Sequence, residues 1–186
     1  MGLKNKKGFT LIELLIVIGI IAILAGIVLV AVNPAQQFGK ANDSERKSEI
    51  GTLLSAVYQY QTSPTARGAL PECSLGAVPA DTAIPECDDP TGPGGIFDGA
   101  LELGTPADAD TYDCSTALIP SYLREIPIDP TSATYDATAT GYYICQDTSG
   151  AVSRVYVLAV GAEVYTDDGG CEHPDGSGDP VMCVSG

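Results

Sequence analysis

From Phe9 to Val32 the chain carries 24 residues whose only clearly polar members are Thr10 and Glu13, and Leu14 to Val32 is an unbroken apolar and glycine stretch. As a helix this run spans about 36 Å at ~1.5 Å per residue, enough for a hydrocarbon core of ~30 Å. Lys4, Lys6 and Lys7 stand directly before it, which places the short amino-terminal tail in the cytoplasm and everything after residue 33 outside. A cleaved secretory signal has a shorter apolar region followed by a small-residue cleavage site, and no convincing Ala-x-Ala follows here. A plain anchor leaves Glu13 unexplained, because an ionisable group in an apolar helix costs at least ~2.5 kcal/mol near the bilayer centre and less near the interface. Glu13 is therefore a functional candidate, a carboxylate with no evident partner on its own helix.

The remainder has a different character. Residues 1–50 hold six basic side chains against four acidic, whereas residues 51–186 hold three basic (Arg67, Arg124, Arg154) against twenty acidic, net −17. Such a surface repels phosphates, so direct nucleic-acid binding by this part is not expected. All six cysteines (Cys73, Cys87, Cys114, Cys145, Cys171, Cys183) lie in the exterior part, and an even count in an exported domain reads as disulfides.

Lys4-Asn5-Lys6-Lys7-Gly8-Phe9-Thr10-Leu11-Ile12-Glu13-Leu14-Leu15 resembles the leader and helix start of a type IV pilin or type II secretion pseudopilin. The resemblance implies a leader, residues 1–8, removed by a prepilin peptidase between Gly8 and Phe9, with methylation of the new Phe9 amino group. That amine, of ordinary pKa ~7.7–8.0, would sit at the depth of Glu13. Pairing of the two, within one subunit or between neighbours, would compensate two buried charges and set the register of a filament.

Residues 9–33 are then the transmembrane and filament-core helix, and 34–62 its amphipathic second half. Asn33-Pro34 ends the apolar run, since proline removes a helical hydrogen bond and clashes with the preceding turn. Gly19, Gly26 and Pro34 are points of either close packing or flexibility. Ala41 to Gln61 resumes a helical pattern, with Ile50, Leu53, Leu54, Val57 and Tyr58 forming an apolar stripe to pack on a sheet, and Asp43, Glu45, Arg46, Lys47 and Glu49 mainly elsewhere. Residues 63–186 form the exterior head. Its segment 63–110, rich in Pro, Gly, Ala and Asp, reads as a stapled connecting region, which in the family is the variable surface segment. A short helical pattern follows at Tyr112 to Glu125. Tyr122-Leu123-x-x-Ile126-Pro127-x-Asp129-Pro130 is similar to the segment before the sheet in major pseudopilins, although Thr131-Ser132-Ala133 departs from that class. Strands are expected at Thr140–Gln146, Arg154–Val160 and Glu163–Thr166, a small sheet over about 140–166. The expected fold is α+β: a long amino-terminal helix packed on a small antiparallel sheet with disulfide-stapled loops. Proximity along the chain favours the pairings 73–87, 114–145 and 171–183 among the many that six cysteines admit. The last would resemble the carboxy-terminal disulfide region of pilins.

Signatures of catalysis are sparse. The single histidine, His173, lies in an acidic loop with no nucleophile elbow, and no Walker loop or His-Glu-x-x-His occurs, so no enzyme activity is expected. Calcium is a candidate ligand for Asp167, Asp168, Asp175 and Asp179, hard oxygens on turn-forming backbone, but the spacing is not an EF-hand: Pro180 stands where its glycine would be. Asn42-Asp43-Ser44 matches a glycosylation sequon but falls in a predicted helix.

The expected function is a structural subunit of an extracellular type IV pilus: a membrane precursor, then a helical homopolymer on the cell surface. By resemblance its partners are the prepilin peptidase, an inner-membrane assembly platform and its ATPases. A secretion pseudopilin is the alternative, and an anchored domain that never polymerises is a third reading.

Overall fold

The computed structural model describes residues 8–75, 78–87, 99–105, 111–131, 133–150, 152–164 and 181–186. The chain divides into two compact units, residues 1–38 and 39–186.

The first unit holds helix α1, Leu11–Val32, apolar and exposed on every side. A helix with no polar face has no stable place in water, and this one is long and apolar enough to cross a membrane. It ends at Asn33, which adopts the left-handed conformation (φ 40°) that asparagine tolerates better than most residues. Pro34 then opens helix α2, Pro34–Gln61. Proline is tolerated at this first helical position, because it gives up an N–H that has no intrahelical acceptor anyway.

In the second unit, α2 buries Ile50, Leu53, Ala56 and Val57 in the main core, where the expected stripe packs on a sheet. Among the described residues that sheet has seven strands: β1 Cys73–Leu75, β2 Val78–Thr82, β3 Leu101–Leu103, β4 Thr111–Asp113, β5 Tyr142–Asp147, β6 Arg154–Ala159 and β7 Met182–Ser185. Their order is β2-β1-β4-β3-β5-β6-β7, antiparallel throughout except for the β3–β4 pair. The longest pairing is the β5–β6 hairpin, in register from Tyr142↔Ala159 to Asp147↔Arg154. Its turn is held by the Asp147 carboxylate, which accepts from the N–H and hydroxyl of Ser149.

Alternation along these strands builds two faces. Tyr142, Ile144, Val155, Val157, Ala159 and Met182 join the α2 side chains in the main core. Cys145, Leu158, Ala100 and Val181 form a second cluster with Tyr143, Tyr156 and Cys183 packed against it.

Several expectations need correction. Segment 63–110 is not only a connection: it contributes β1, β2 and β3, each too short to show periodicity in sequence. The helix expected over Tyr112–Glu125 shrinks to α3, Ser115–Leu118, because Tyr112 is wholly buried in β4 and the residue before Pro120 disfavours helix. Glu163 and Val164 form a bend rather than a strand, and the strand beside β6 is β7. The disulfides are Cys73–Cys114 and Cys87–Cys145, not 73–87 and 114–145. The sheet brings the paired residues together: β1 lies beside β4, which ends one residue before Cys114. Residues 84–87 run along β5, with Cys87 N–H donating to the Gln146 carbonyl and Gln146 N–H to that of Pro85. Cys183 is disulfide-bonded, while Cys171 lies outside the described residues.

Candidate functional site

Two constellations stand out, one in each unit. In the first, Gly8, Phe9 and Thr10 precede α1 in exposed, non-helical backbone, with Phe9 91% exposed. Thr10 is the N-cap and Glu13 the third helical residue, a reciprocal capping box. The Thr10 hydroxyl accepts from the Glu13 N–H at 3.3 Å, and Glu13 Oε2 accepts from both the Thr10 N–H and hydroxyl at 2.8 Å. Glu13 therefore does have a partner on its own chain, contrary to the expectation. The signal was present in Thr10-x-x-Glu13. The box holds the carboxylate at the helix start, four residues from Phe9, where the helix dipole favours negative charge.

The second constellation was not anticipated. Arg46 has no solvent-exposed surface, and it gathers four side chains from three parts of the chain. Its Nε and Nη2 donate to the two carboxylate oxygens of Asp129 at 2.6 and 2.9 Å, a bidentate pair. Nη1 donates to Asp43 Oδ1 at 2.7 Å and Nη2 to the Thr131 hydroxyl at 2.7 Å, with Glu163 Oε1 at 3.4 Å from both. Asp43 in turn accepts the backbone N–H groups of Glu163 (3.0 Å) and Val164 (2.8 Å). No buried side-chain polar atom among the described residues lacks a partner. Burial alone would neutralise these charges. For Arg46 the hydrogen bonds and charges of Asp129 and Asp43 outweigh burial and raise its pKa. For Asp129, burial pushes upward, but Arg46 and Thr131 hold it below the usual carboxylate range.

One helical turn further on, the Tyr142 hydroxyl donates to Glu49 Oε2. Burial, more than that bond offsets, raises the Glu49 carboxyl above its ordinary value, and burial followed by the hydrogen bond to Glu49 raises the Tyr142 phenol. The expectation that Asp43, Arg46 and Glu49 lie mainly away from the packed face is overturned. Asp43 and Arg46 precede Ile50, Leu53 and Val57 at steps of three and four, so they extend the buried stripe with charge instead of hydrocarbon.

Gly161 makes the cluster possible. A Cβ there would fall 2.5 Å from Asp129 Oδ2 and 3.1 Å from Arg46 Nη2. Gly161→Ala is expected to lower stability by about 1–3 kcal/mol through forced displacement of the ion pair. Urea unfolding of the full chain in detergent micelles, followed by tyrosine near-ultraviolet dichroism, would show it as a lower midpoint with unchanged slope.

Asn42 donates from Nδ2 to Glu163 Oε1 at 2.7 Å within α2, so the sequon's amide is engaged. The calcium candidates Asp167, Asp168, Asp175 and Asp179, and His173, lie outside the described residues. Among the described residues no cluster of three or more metal-ligating side chains occurs.

Comparison with known proteins bears on the first constellation. Residues 3–29 match the family described as the prokaryotic N-terminal methylation motif. The chain is 35% identical over 86 residues to the Type IV wide pilus major component PilA4 of Thermus thermophilus, a match covering 44% of this chain and 64% of that protein. The chain thus spans just under two thirds of that relative's length. No solved structure matches it. The methylation motif, the apolar helix that follows it and the stretch shared with that relative make the chain type IV pilin-like.

Proposed function

We propose that this chain is a structural subunit of an extracellular type IV pilus, cut between Gly8 and Phe9, N-methylated at Phe9, and polymerised through α1 with its acidic head outward. The observation that carries the reading is the methylation motif at residues 3–29 running directly into a 22-residue helix with no buried residue. At ~25 cal/mol per Å² of apolar surface removed from water, such a helix must be covered by lipid or by other copies. The similarity to a wide-pilus major component points the same way. On this reading the prepilin peptidase, an inner-membrane platform and cytoplasmic ATPases handle the precursor, and the role is structural rather than enzymatic. The Tyr122–Pro130 stretch, similar to the segment before the sheet in major pseudopilins, favours the alternative, a secretion pseudopilin.

The test is mass spectrometry of sheared surface filaments and of membranes. A filament chain beginning at methylated Phe9 supports the pilus. A processed chain confined to the membrane, with secretion failing on its deletion, supports the pseudopilin. A chain that keeps residues 1–8 overturns both in favour of an anchored domain.

Glu13 gives a sharper prediction. Glu13→Leu removes the acceptor for the Phe9 amine, so the chain should reach the membrane at normal levels while sheared filament falls at least about tenfold, the cost of one buried charge left unpaired. Wild-type filament yield from this variant would end the pairing role.

A further inference from the structure

Charge returns late after the apolar helix. No charged side chain occurs from Leu14 to Gly39, so the charge-free run continues past the end of α1 at Val32 and stops only at Lys40. Its last part, Asn33-Pro34-Ala35-Gln36-Gln37-Phe38-Gly39, combines amides and small residues with one aromatic ring. The Asn33 carbonyl accepts the N–H groups of Gln36 at 3.1 Å and Gln37 at 3.4 Å, so the first turn of α2 forms directly behind α1. Pro34 and Ala35 stand four and three positions before Phe38 and share its side of that turn, while Gln36 and Gln37 occupy the other. All five are exposed, and Phe38 keeps 71% of its surface open.

We infer that this first turn of α2 is a membrane-border segment, in which Phe38, Pro34 and Ala35 enter the outer headgroup layer of the bilayer that α1 crosses. Gln36 and Gln37 then bond to water and headgroup oxygens. A lipid surface is the occupant because the turn continues a helix already long and apolar enough to span the membrane, and its pairing of an apolar side with a polar one suits the boundary between headgroups and acyl chains. Length agrees. The interval from Phe9 to Phe38 amounts to roughly 44 Å of helix at ~1.5 Å per residue, against ~40–45 Å for a bilayer with its headgroup layers. Two of the chain's three phenylalanines thus mark the two borders. Charge agrees as well, since residues 51–186, with twenty acidic side chains against three basic, are repelled by an anionic lipid surface and a neutral spacer keeps them off it. The inference rests on the membrane-precursor reading above and adds to it a fixed depth.

The chain contains no tryptophan, so single-tryptophan variants report one position each. The test places full-length Phe38→Trp, Ile21→Trp and Val152→Trp chains in phosphatidylcholine vesicles that carry lipid brominated either near the top of its acyl chains or near their ends. Ile21 marks the middle of α1, and Val152, 73% exposed, marks the head. The expected result at position 38 is emission to the blue of position 152 and stronger quenching by the shallow bromines than by the deep ones. Position 21 should show the reverse preference, and position 152 no quenching. An unquenched position 38 beside a quenched position 21 would overturn the border contact alone: water-like emission would leave Phe38 in solvent, and blue-shifted emission would assign its cover to the head or a second copy. Stronger quenching by the deep bromines would also overturn it, by placing Phe38 inside the hydrocarbon. Loss of quenching at position 21 would defeat the membrane reading and this inference with it. Ala35→Trp, on the same side of the turn, repeats the measurement should Phe38→Trp lower the melting temperature.

Discussion

Arg46→Met should destabilise the head by about 3–5 kcal/mol, the usual cost of leaving a buried charge without its partner. Methionine fills most of the volume, so the loss is electrostatic: Asp129, 1% exposed, keeps only its bonds from Thr131. Arg46→Met/Asp129→Asn should recover part of the loss, because an amide oxygen still accepts from Thr131 and the one buried carboxylate left there, Asp43, keeps the N–H groups of Glu163 and Val164. Equal stability of the single and double variants would show that the pair is not coupled.

The same substitution should reverse a pH dependence. In the wild type Asp129 is held below its unfolded value, so its contribution is present above the ordinary carboxylate range and lost as pH falls through the depressed folded value. Without Arg46, burial dominates and the Asp129 carboxyl rises above its unfolded value, so protonation then favours the fold. Glu49, raised in the folded state, has that second sign in both proteins and gains stability as pH falls through its raised value. The deficit of Arg46→Met should therefore be largest at neutral pH and shrink toward pH 4. Unfolding series at several pH values would reveal a constant deficit instead if Asp129 were not the group responsible.

The second large effect concerns the disulfides. Cys73–Cys114 and Cys87–Cys145 close loops with sequence separations of 41 and 58, worth about 4 kcal/mol each in the chain-entropy account. Replacing either pair by alanine should lower stability by about that amount. The loss of Cys87–Cys145 should also release residues 84–87 from β5, read as faster hydrogen exchange at Cys87→Ala and Gln146, whose amides bond across that seam. Non-reducing peptide mapping checks the pairing itself; a peptide joining residues 73 and 87 would contradict the fold.

Much of this fold is legible in the sequence where a long periodic pattern exists. The apolar run, the stripe from Ile50 to Val57 and the β5–β6 hairpin each span enough residues for hydrophobic periodicity to speak. Strands β1, β3 and β4 have three residues each and owe their existence to neighbours supplied from elsewhere in the chain. Cysteine pairing follows from that sheet order, so proximity along the chain misleads. The Thr10–Glu13 box needs only a local motif and could be found by inspection. Arg46 is harder: its place on the buried face is readable from the spacing to Ile50, but its ligands lie 83 residues away at Asp129 and 117 away at Glu163.

Those two separations also have a meaning in time. A chain made from its amino end completes α2 long before residues 129 and 163 exist, and at ~5–20 residues per second the wait for Glu163 is roughly 6–23 s. Over that interval the Arg46 cluster stays incomplete, and until β5 and β6 are made the apolar stripe beside it lacks much of its sheet. The later-made half of the head is thus the keystone of its first-made helix. A chain interrupted anywhere before Asp129 would lack β5, β6 and β7 and leave the apolar face of α2 partly uncovered, a natural substrate for chaperones and proteases, so quality control of this chain falls on its carboxy-terminal half.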